Sequence, residues 1–366
     1  MPVAKVLNRF AVFIITAMLL FTACQKSDNP ADTSSGDNSG GNNGGTTNPT
    51  KVNDIKGNGN YALYLSNIST VYTVFVQNSA YGTSLAHYKV AGLSNIRKIA
   101  AGPANTAAGN YEAIALDNNG KIFTINMNFS TGKPDSALQF TQMSSFAGSI
   151  ITDIAAGGDG TTQFFLALDQ SGRVWSWGNG GASLYGIYTG GTPQIIQGLS
   201  SIASISAGTS QGLALNSSGN VYNWGVISWQ NDEKYASPTL VIGASPATSI
   251  DAGDNYNIAK RQDGSVYAWG HLMDGVVPGI ATPYAFSAGA ELYFSPMFIK
   301  TDGTIYKTSF SMMDGSPQAA EAVQELSSYR FSIVDASRIA YYLTTGGQVL
   351  VQSSTGTAPY VLSTLF

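Results

Sequence analysis

One motif recurs along most of this chain, and a chain written in copies of one motif folds as an array of like units. The clearest copies are Ala167-Leu168-Asp169-Gln170-Ser171-Gly172-Arg173-Val174-Trp175-Ser176-Trp177-Gly178 and Ala214-Leu215-Asn216-Ser217-Ser218-Gly219-Asn220-Val221-Tyr222-Asn223-Trp224-Gly225. A third runs from Ala259 through Gly264 to Trp269-Gly270, and weaker ones surround Gly120, Gly303 and Gly347. A seventh, Ser69-Thr70-Val71-Tyr72, lacks the glycine. The turn positions 69, 120, 172, 219, 264, 303 and 347 are about 40–50 residues apart, the length of one four-stranded propeller blade.

A second element precedes each turn: Ile96-Arg97-Lys98-Ile99-Ala100-Ala101-Gly102, Ile151-Thr152-Asp153-Ile154-Ala155-Ala156-Gly157 and Ile202-Ala203-Ser204-Ile205-Ser206-Ala207-Gly208. Thr248 to Gly253 and Tyr284 to Gly289 continue the series, with fainter versions at Val52 and Val323. Small residues at these strand ends suit blades that taper toward a crowded axis. The glycine of each turn supplies the positive φ that a tight hairpin needs. A further strand follows proline in Pro193-Gln194-Ile195-Ile196 and Pro238-Thr239-Leu240-Val241, giving four per unit. Ser316 to Leu326 alone reads as a helix, with Pro317 in its first turn. The closing run Pro359-Tyr360-Val361-Leu362 resembles the post-proline strand and is expected to seal the ring.

Ile-x-x-Ile-x-Ala-Gly followed by Ala-Leu-x-x-x-Gly-x-Val-Tyr-x-Trp-Gly resembles the repeat of the regulator of chromosome condensation family, and in its shorter period the secreted bacterial branch that includes a β-lactamase inhibitor protein. The resemblance covers roughly residues 52–366 and implies an all-β fold, a seven-bladed β-propeller of four-stranded blades. It does not carry the family's nucleotide-exchange and chromatin roles. The histidine usual after Ala-Gly is replaced, with Thr209, Ser210 and Gln211 in its place, and only Asn179 to Gly186 faintly keeps the associated loop.

Charge agrees with that restriction. Only 11% of the 366 residues are charged and the formal net charge is −4, so no cationic nucleic-acid footprint is expected. One Cys excludes an intramolecular disulfide, and two His leave no metal site or cofactor to nominate.

The lone cysteine belongs to the N-terminus. Lys5 and Arg9 precede an apolar run from Phe10 to Phe21, too short to span a bilayer, which ends in Thr22-Ala23-Cys24. Leu20-Phe21-Thr22-Ala23-Cys24 resembles the lipobox of bacterial lipoproteins, which implies removal of residues 1–23 and acylation of Cys24. Gln25, where an aspartate would resemble an inner-membrane retention signal, points to the outer membrane and surface display. Residues 24–50 are Gly, Ser, Asn, Asp and Thr in the main and read as a disordered linker, leaving 51–366 for the propeller.

No catalytic constellation is legible. His87 and His271 lie in different repeats, Gly178-Asn179-Gly180-Gly181 leads into no helix, and Asp153, Asp251 and Asp335 recur at similar repeat positions, as turn caps would. Topology offers more. The connections after Ala-Gly and after Trp-Gly share one face, which gathers Tyr185, Tyr188, Trp229, Tyr235, Tyr256, His271 and Tyr293 among carboxylates such as Asp254, Asp274 and Glu291. Aromatics of this kind anchor protein interfaces and stack on sugars. Trp175, Trp177, Trp224 and Trp269 fall within strand motifs and are assigned to the core.

The resulting expectation is a monomeric, surface-anchored module with no catalytic residues, bound to the membrane by its lipid and to a protein or glycan by its aromatic-acidic face. The alternative is an exported glycan lyase or hydrolase built on His271, Asp254 and Glu291 at the channel mouth.

Overall fold

In every repeat the run before the turn and the run after it are apolar enough to be buried on both faces, which is the signature of strands packed between neighbouring sheets. The computed structural model describes residues 52–58, 61–79, 82–105, 110–128, 140–158, 163–178, 190–228, 233–253, 256–270, 273–287, 296–309, 316–326, 331–336, 339–346, 348–353 and 360–362. They belong to one compact unit, Thr47–Phe366; the other, Met1–Thr46, lies outside the described residues, and with it the expected signal peptide and most of the expected linker.

The strands form seven antiparallel four-stranded meanders. The first holds β1 (Val52–Asn58), β2 (Tyr61–Ser66), β3 (Val71–Ser79) and β4 (Gly82–Lys89). The second holds β5 (Ile96–Asn105), β6 (Asn110–Asp117), β7 (Ile122–Asn128) and β8 (Thr141–Gln142). The third holds β9 (Ile151–Gly158), β10 (Gln163–Asp169), β11 (Val174–Gly178) and β12 (Gln194–Ile195). The fourth holds β13 (Ile202–Ala207), β14 (Gln211–Asn216), β15 (Val221–Ser228) and β16 (Glu233–Leu240). The fifth holds β17 (Ala247–Ala252), β18 (Tyr256–Arg261), β19 (Ser265–Gly270) and β20 (Met273–Ala281). The sixth holds β21 (Ala285–Ser287), β22 (Met297–Ile299), β23 (Ile305–Lys307) and β24 (Glu321–Ala322). The last holds β25 (Phe331–Ala336), β26 (Ile339–Thr344), β27 (Val349–Ser353) and β28 (Tyr360–Leu362).

The expectation of seven like blades needs correction. Six sheets are full blades, each with three or more strands of at least five residues. The sheet β21–β24 is a remnant, with strands of three, three, three and two described residues. Its sequence explains the reduction. Gly303 and its hairpin survive, but Pro296 stands directly before β22, where it cannot donate to a ladder. The helix expected over Ser316–Leu326 is also absent: β24 and a single 3-10 turn, Gln324–Leu326, take its place.

The first strands of successive sheets adjoin one another in a closed series, β1 to β5, β9, β13, β17, β21, β25 and back to β1. They line the axis. Their central residue, Ile55, Ile99, Ile154, Ile205 or Ile250, is buried in a core shared with an adjacent sheet. A bulge two residues earlier recurs at Val52/Asp54, Ile96/Lys98, Ile202/Ser204 and Ala247/Ser249, tightening the strand twist near the axis. The four motif tryptophans, Trp175, Trp177, Trp224 and Trp269, are buried in these cores. Fully burying a large apolar side chain contributes roughly 1.5–3 kcal/mol, and each interface holds several. The ring closes through a core of Val52, Ile55, Ala62 and Tyr64 against Tyr341, Leu343, Val349 and Val351. Strand β28 pairs with β27 in its own sheet, so closure is by side-chain packing and not by a shared ladder.

Candidate binding face

In a four-stranded meander the connections between first and second strands, and between third and fourth, leave from the same end. The two ends of this ring are built differently. At one end the hairpins 67–70, 118–121, 170–173, 217–220 and 345–348 are nearly uniform. Each is fixed by a side chain at or just inside it. Asp117 Oδ1 accepts from the amides of Asn119 and Lys121, Asn216 Oδ1 from Ser218 and Asn220, Ser66 Oγ from Thr70, and Thr344 Oγ1 from Gln348. Asp169 does most. It accepts from the amides of Ser171 and Arg173, from Arg173 Nε at 2.7 Å and from Trp175 Nε1 at 3.0 Å. Burial alone would raise the Asp169 carboxyl; the bonds from Trp175, Arg173 and Ser171 overcome it and hold the group below the usual carboxylate range.

At the opposite end the chain between third and fourth strands varies widely in length, from two residues between β19 and β20 to 12 between β7 and β8, 13 between β23 and β24 and 15 between β11 and β12. This is the end that the Ala-Gly and Trp-Gly strand termini reach. Of the aromatic residues expected there, Tyr235 lies on β16 opposite Gly225, half-buried against the core between the fourth and fifth sheets. Tyr256 is placed otherwise. It opens β18, is 2% exposed and packs between the fifth and sixth sheets, so its ring is not offered to a ligand. Its position in the repeat matches Tyr61 and Gln211, whose side chains also turn toward the next sheet. Tyr185, Tyr188, Trp229, His271, Tyr293, Asp254 and Glu291 lie outside the described residues, as does Cys24.

Asp274, also expected on this face, is exposed on β20 and accepts a 2.5 Å bond from Tyr267 Oη. Desolvation, with the bond to Asp274 and its charge adding to it, pushes the Tyr267 hydroxyl up to about 12. That pair is a fixed element of the rim.

The recurring aspartates are not turn caps. Asp153 and Asp251 sit on the axial strands, on the side opposite the buried isoleucines, because alternation along a strand sends neighbours to opposite faces. Asp153 pairs with Lys98 of the preceding axial strand, and Asp251 Oδ1 accepts from Ser206 Oγ at 3.2 Å. Asp335 shares this placement by register on β25. The sequence signal was adjacency to the central isoleucine, Asp153 one residue before Ile154 and Asp251 one after Ile250, which puts each on the opposite face. Two exposed apolar side chains of the hairpin end also escaped a reading by motif: Tyr284 is 64% exposed there, and Ile242 80%. Among the described residues no group of three or more His, Cys, Asp or Glu could hold a metal ion. No helix among them is long and apolar enough to cross a membrane.

No family model matches the chain. Protein pim1 of Schizosaccharomyces pombe is 30% identical over 166 residues, 37% of this chain and 30% of that protein. The RCC1 domain-containing protein RUG3 of Arabidopsis thaliana is 29% identical over 141 residues, 36% of this chain and 31% of that one. The solved structure of Prp20p from Saccharomyces cerevisiae superposes with a TM-score of 0.56 at 14% identity, covering 78% of this chain and 80% of its own. The fold is an RCC1-like β-propeller. The matched stretches span under a third of the length of either curated relative, so the likeness is one of repeat and ring. An RCC1-like ring with uniform hairpins at one end and variable insertions at the other has one end suited to recognition.

Proposed function

We propose that this chain is a non-catalytic binding module held at the outer membrane of a bacterial envelope by a lipid on Cys24, taking a protein or glycan on its insertion-bearing face. The observation that carries the reading is the asymmetry between the two ends. Repeat proteins tolerate insertions where the loops meet a ligand, and this ring confines them to the end holding Tyr235 and Asp274. The propeller likeness favours a protein partner, since Prp20p is described by its binding properties to Gsp1p and histones. Those two partners belong to that protein; this chain's low charge and its N-terminal signal suit a ligand outside the cell.

The test is made on the full chain, expressed with its own N-terminus. Fractionation and fatty-acid labelling of wild type and Cys24→Ser should show the label and outer-membrane location lost together. Immobilised protein is then presented to separated envelope proteins and a glycan panel, with Trp229→Ala/Tyr188→Ala in parallel. Capture weakened at least tenfold by the double substitution supports the reading. Unchanged capture, or glycan cleavage abolished by His271→Ala, overturns it.

A further inference from the structure

A fourth strand runs toward the hairpin end, so the connections that pass from one sheet to the next lie at that end beside the hairpins. Five of the six exposed large apolar side chains among the described residues stand there: Ile68, Ile150, Leu240, Ile242 and Tyr284, with Val276 the exception. Ile150, 47% exposed, is fixed by its backbone. Its carbonyl accepts from the Gln170 amide at 2.9 Å, and the next amide, of Ile151, donates to Gly120 O at 3.2 Å. Its Cγ2 lies on the Gly120 turn, where an added Cβ would strike it. Three exposed cations flank this isoleucine. Lys121 follows Gly120 in the turn. Arg97 Nη2 donates to Ile151 O at 3.2 Å and to Thr152 O at 2.8 Å, and Arg173 Nη2 donates to Ser149 Oγ at 2.8 Å. Among the described residues, the hairpin carboxylates of these two sheets, Asp117 and Asp169, are buried as caps.

We propose that the hairpin end is a membrane-docking surface: Ile150, Ile242 and Tyr284 enter the interface of a bilayer with anionic headgroups, and Arg97, Lys121 and Arg173 engage the headgroup phosphates. Exposed apolar tips set among cations suit that boundary, where the tips reach acyl chains and the cations meet negative charge. The path of the chain favours a bilayer as the occupant. Val52 opens β1 at this same end, so the ring is entered from the hairpin side, and a lipid on Cys24 would hold that end toward the membrane. The orientation rests on the anchor proposed above, and it turns the insertion-bearing end outward. The docking of the hairpin end does not depend on the anchor. The fifth and sixth hairpins carry exposed carboxylates, Asp263 and Asp302, each two residues from a cation, Arg261 and Lys300. Attraction is therefore strongest at the second and third sheets, around Ile150.

The test uses the full chain carrying Cys24→Ser, which has no lipid. One new cysteine is introduced by Ile150→Cys, by Ile242→Cys or, at the opposite end, by Gly191→Cys, and is labelled with an environment-sensitive dye. Each protein is mixed at low salt with vesicles of phosphatidylcholine, alone or with phosphatidylglycerol. On the anionic vesicles the dyes at 150 and 242 should shift to the blue and be quenched by a lipid-borne nitroxide, while the dye at 191 stays in water. Lys121→Gln should weaken partitioning about fivefold, the effect of one cation near an anionic surface. The apolar N-terminal run is common to every variant and contributes alike to each. Dyes at 150 and 242 that stay aqueous on vesicle-bound chain overturn the proposal. So do burial of position 191 in their place, partitioning unchanged by Lys121→Gln, and burial of 150 and 242 only when envelope proteins are added. Because Cys24 is replaced throughout, failure of the fatty-acid labelling leaves this result standing, and failure of the docking leaves the anchor standing.

Discussion

Tyr61 Oη and the carbonyl of Gly102, 2.5 Å apart, join the first sheet to the second across a gap that no ladder bridges. Tyr61 is fully buried, as the second strand of a full blade must be, so its hydroxyl needs an internal partner. Tyr61→Phe removes the donor and keeps the ring packing, leaving a buried carbonyl short of one bond. A cost of about 1–2 kcal/mol is expected, read as a lower urea midpoint with an unchanged slope. A variant as stable as wild type would mean that water takes over the carbonyl.

Asp169 is the acid-sensitive point of the hairpin end. Its carboxyl is held low, so the stability it supplies is present above the ordinary aspartate value and disappears as pH falls through its lower folded value. Asp169→Asn keeps the shape but weakens the bonds from Arg173 Nε and Trp175 Nε1. The variant should be about 2 kcal/mol less stable at pH 7, and the gap from wild type should narrow as pH falls. Parallel acid-denaturation curves at the two extremes would contradict the assignment.

These two sites show what a repeat discloses and what it hides. The hairpin positions, the tryptophans of the core and the strands after Pro193 and Pro238 were legible, because period and apolar alternation act locally. The reduced sixth sheet was not, since Gly303 and Ile305 preserve the turn and the residue after it while Pro296 limits the strand before it. Tyr256 was assigned to a face by its nearness to a loop; register with Tyr61 and Gln211 would have placed it between sheets. Asp153 and Asp251 read as turn residues because aspartate favours turns, whereas their offset from Ile154 and Ile250 puts them on the axis. Tyr185, Tyr188, Trp229, His271 and Tyr293 lie outside the described residues, and repeat logic alone gives them a face but no geometry.

The glycines that end the axial strands make a sharper prediction. A Cβ on Gly208 would strike the carbonyl oxygen of Gly253, backbone against backbone, with Gln211 closing the other side. The carbonyl cannot yield without parting the fourth and fifth sheets. Gly208→Ala should cost about 3 kcal/mol or more and lower the yield of folded protein. Gly191→Ala is the control, because nothing lies within 4 Å of its added carbon. Its melting temperature should match wild type. Equal behaviour of the two variants would remove close approach as the reason for the Ala-Gly element.

Asn223 carries the last test. Its Oδ1 accepts from Trp269 Nε1 at 3.0 Å, while its Nδ2 donates to Gly212 O at 3.1 Å, so one side chain satisfies the tryptophan of the next sheet and a carbonyl of its own. The equivalent residue of the third sheet is Ser176, which is too short to reach so far. Trp224 Nε1, which faces that sheet, has no acceptor among the described residues. Asn223→Ser therefore recreates at the fifth sheet what the fourth already tolerates. It should cost about 1–3 kcal/mol, the expense of stranding a buried indole N–H and a carbonyl together. In a double-mutant cycle with Trp269→Phe, which deletes the N–H, the coupling should be about 1 kcal/mol. A coupling near zero would show that the two residues are neighbours without being partners.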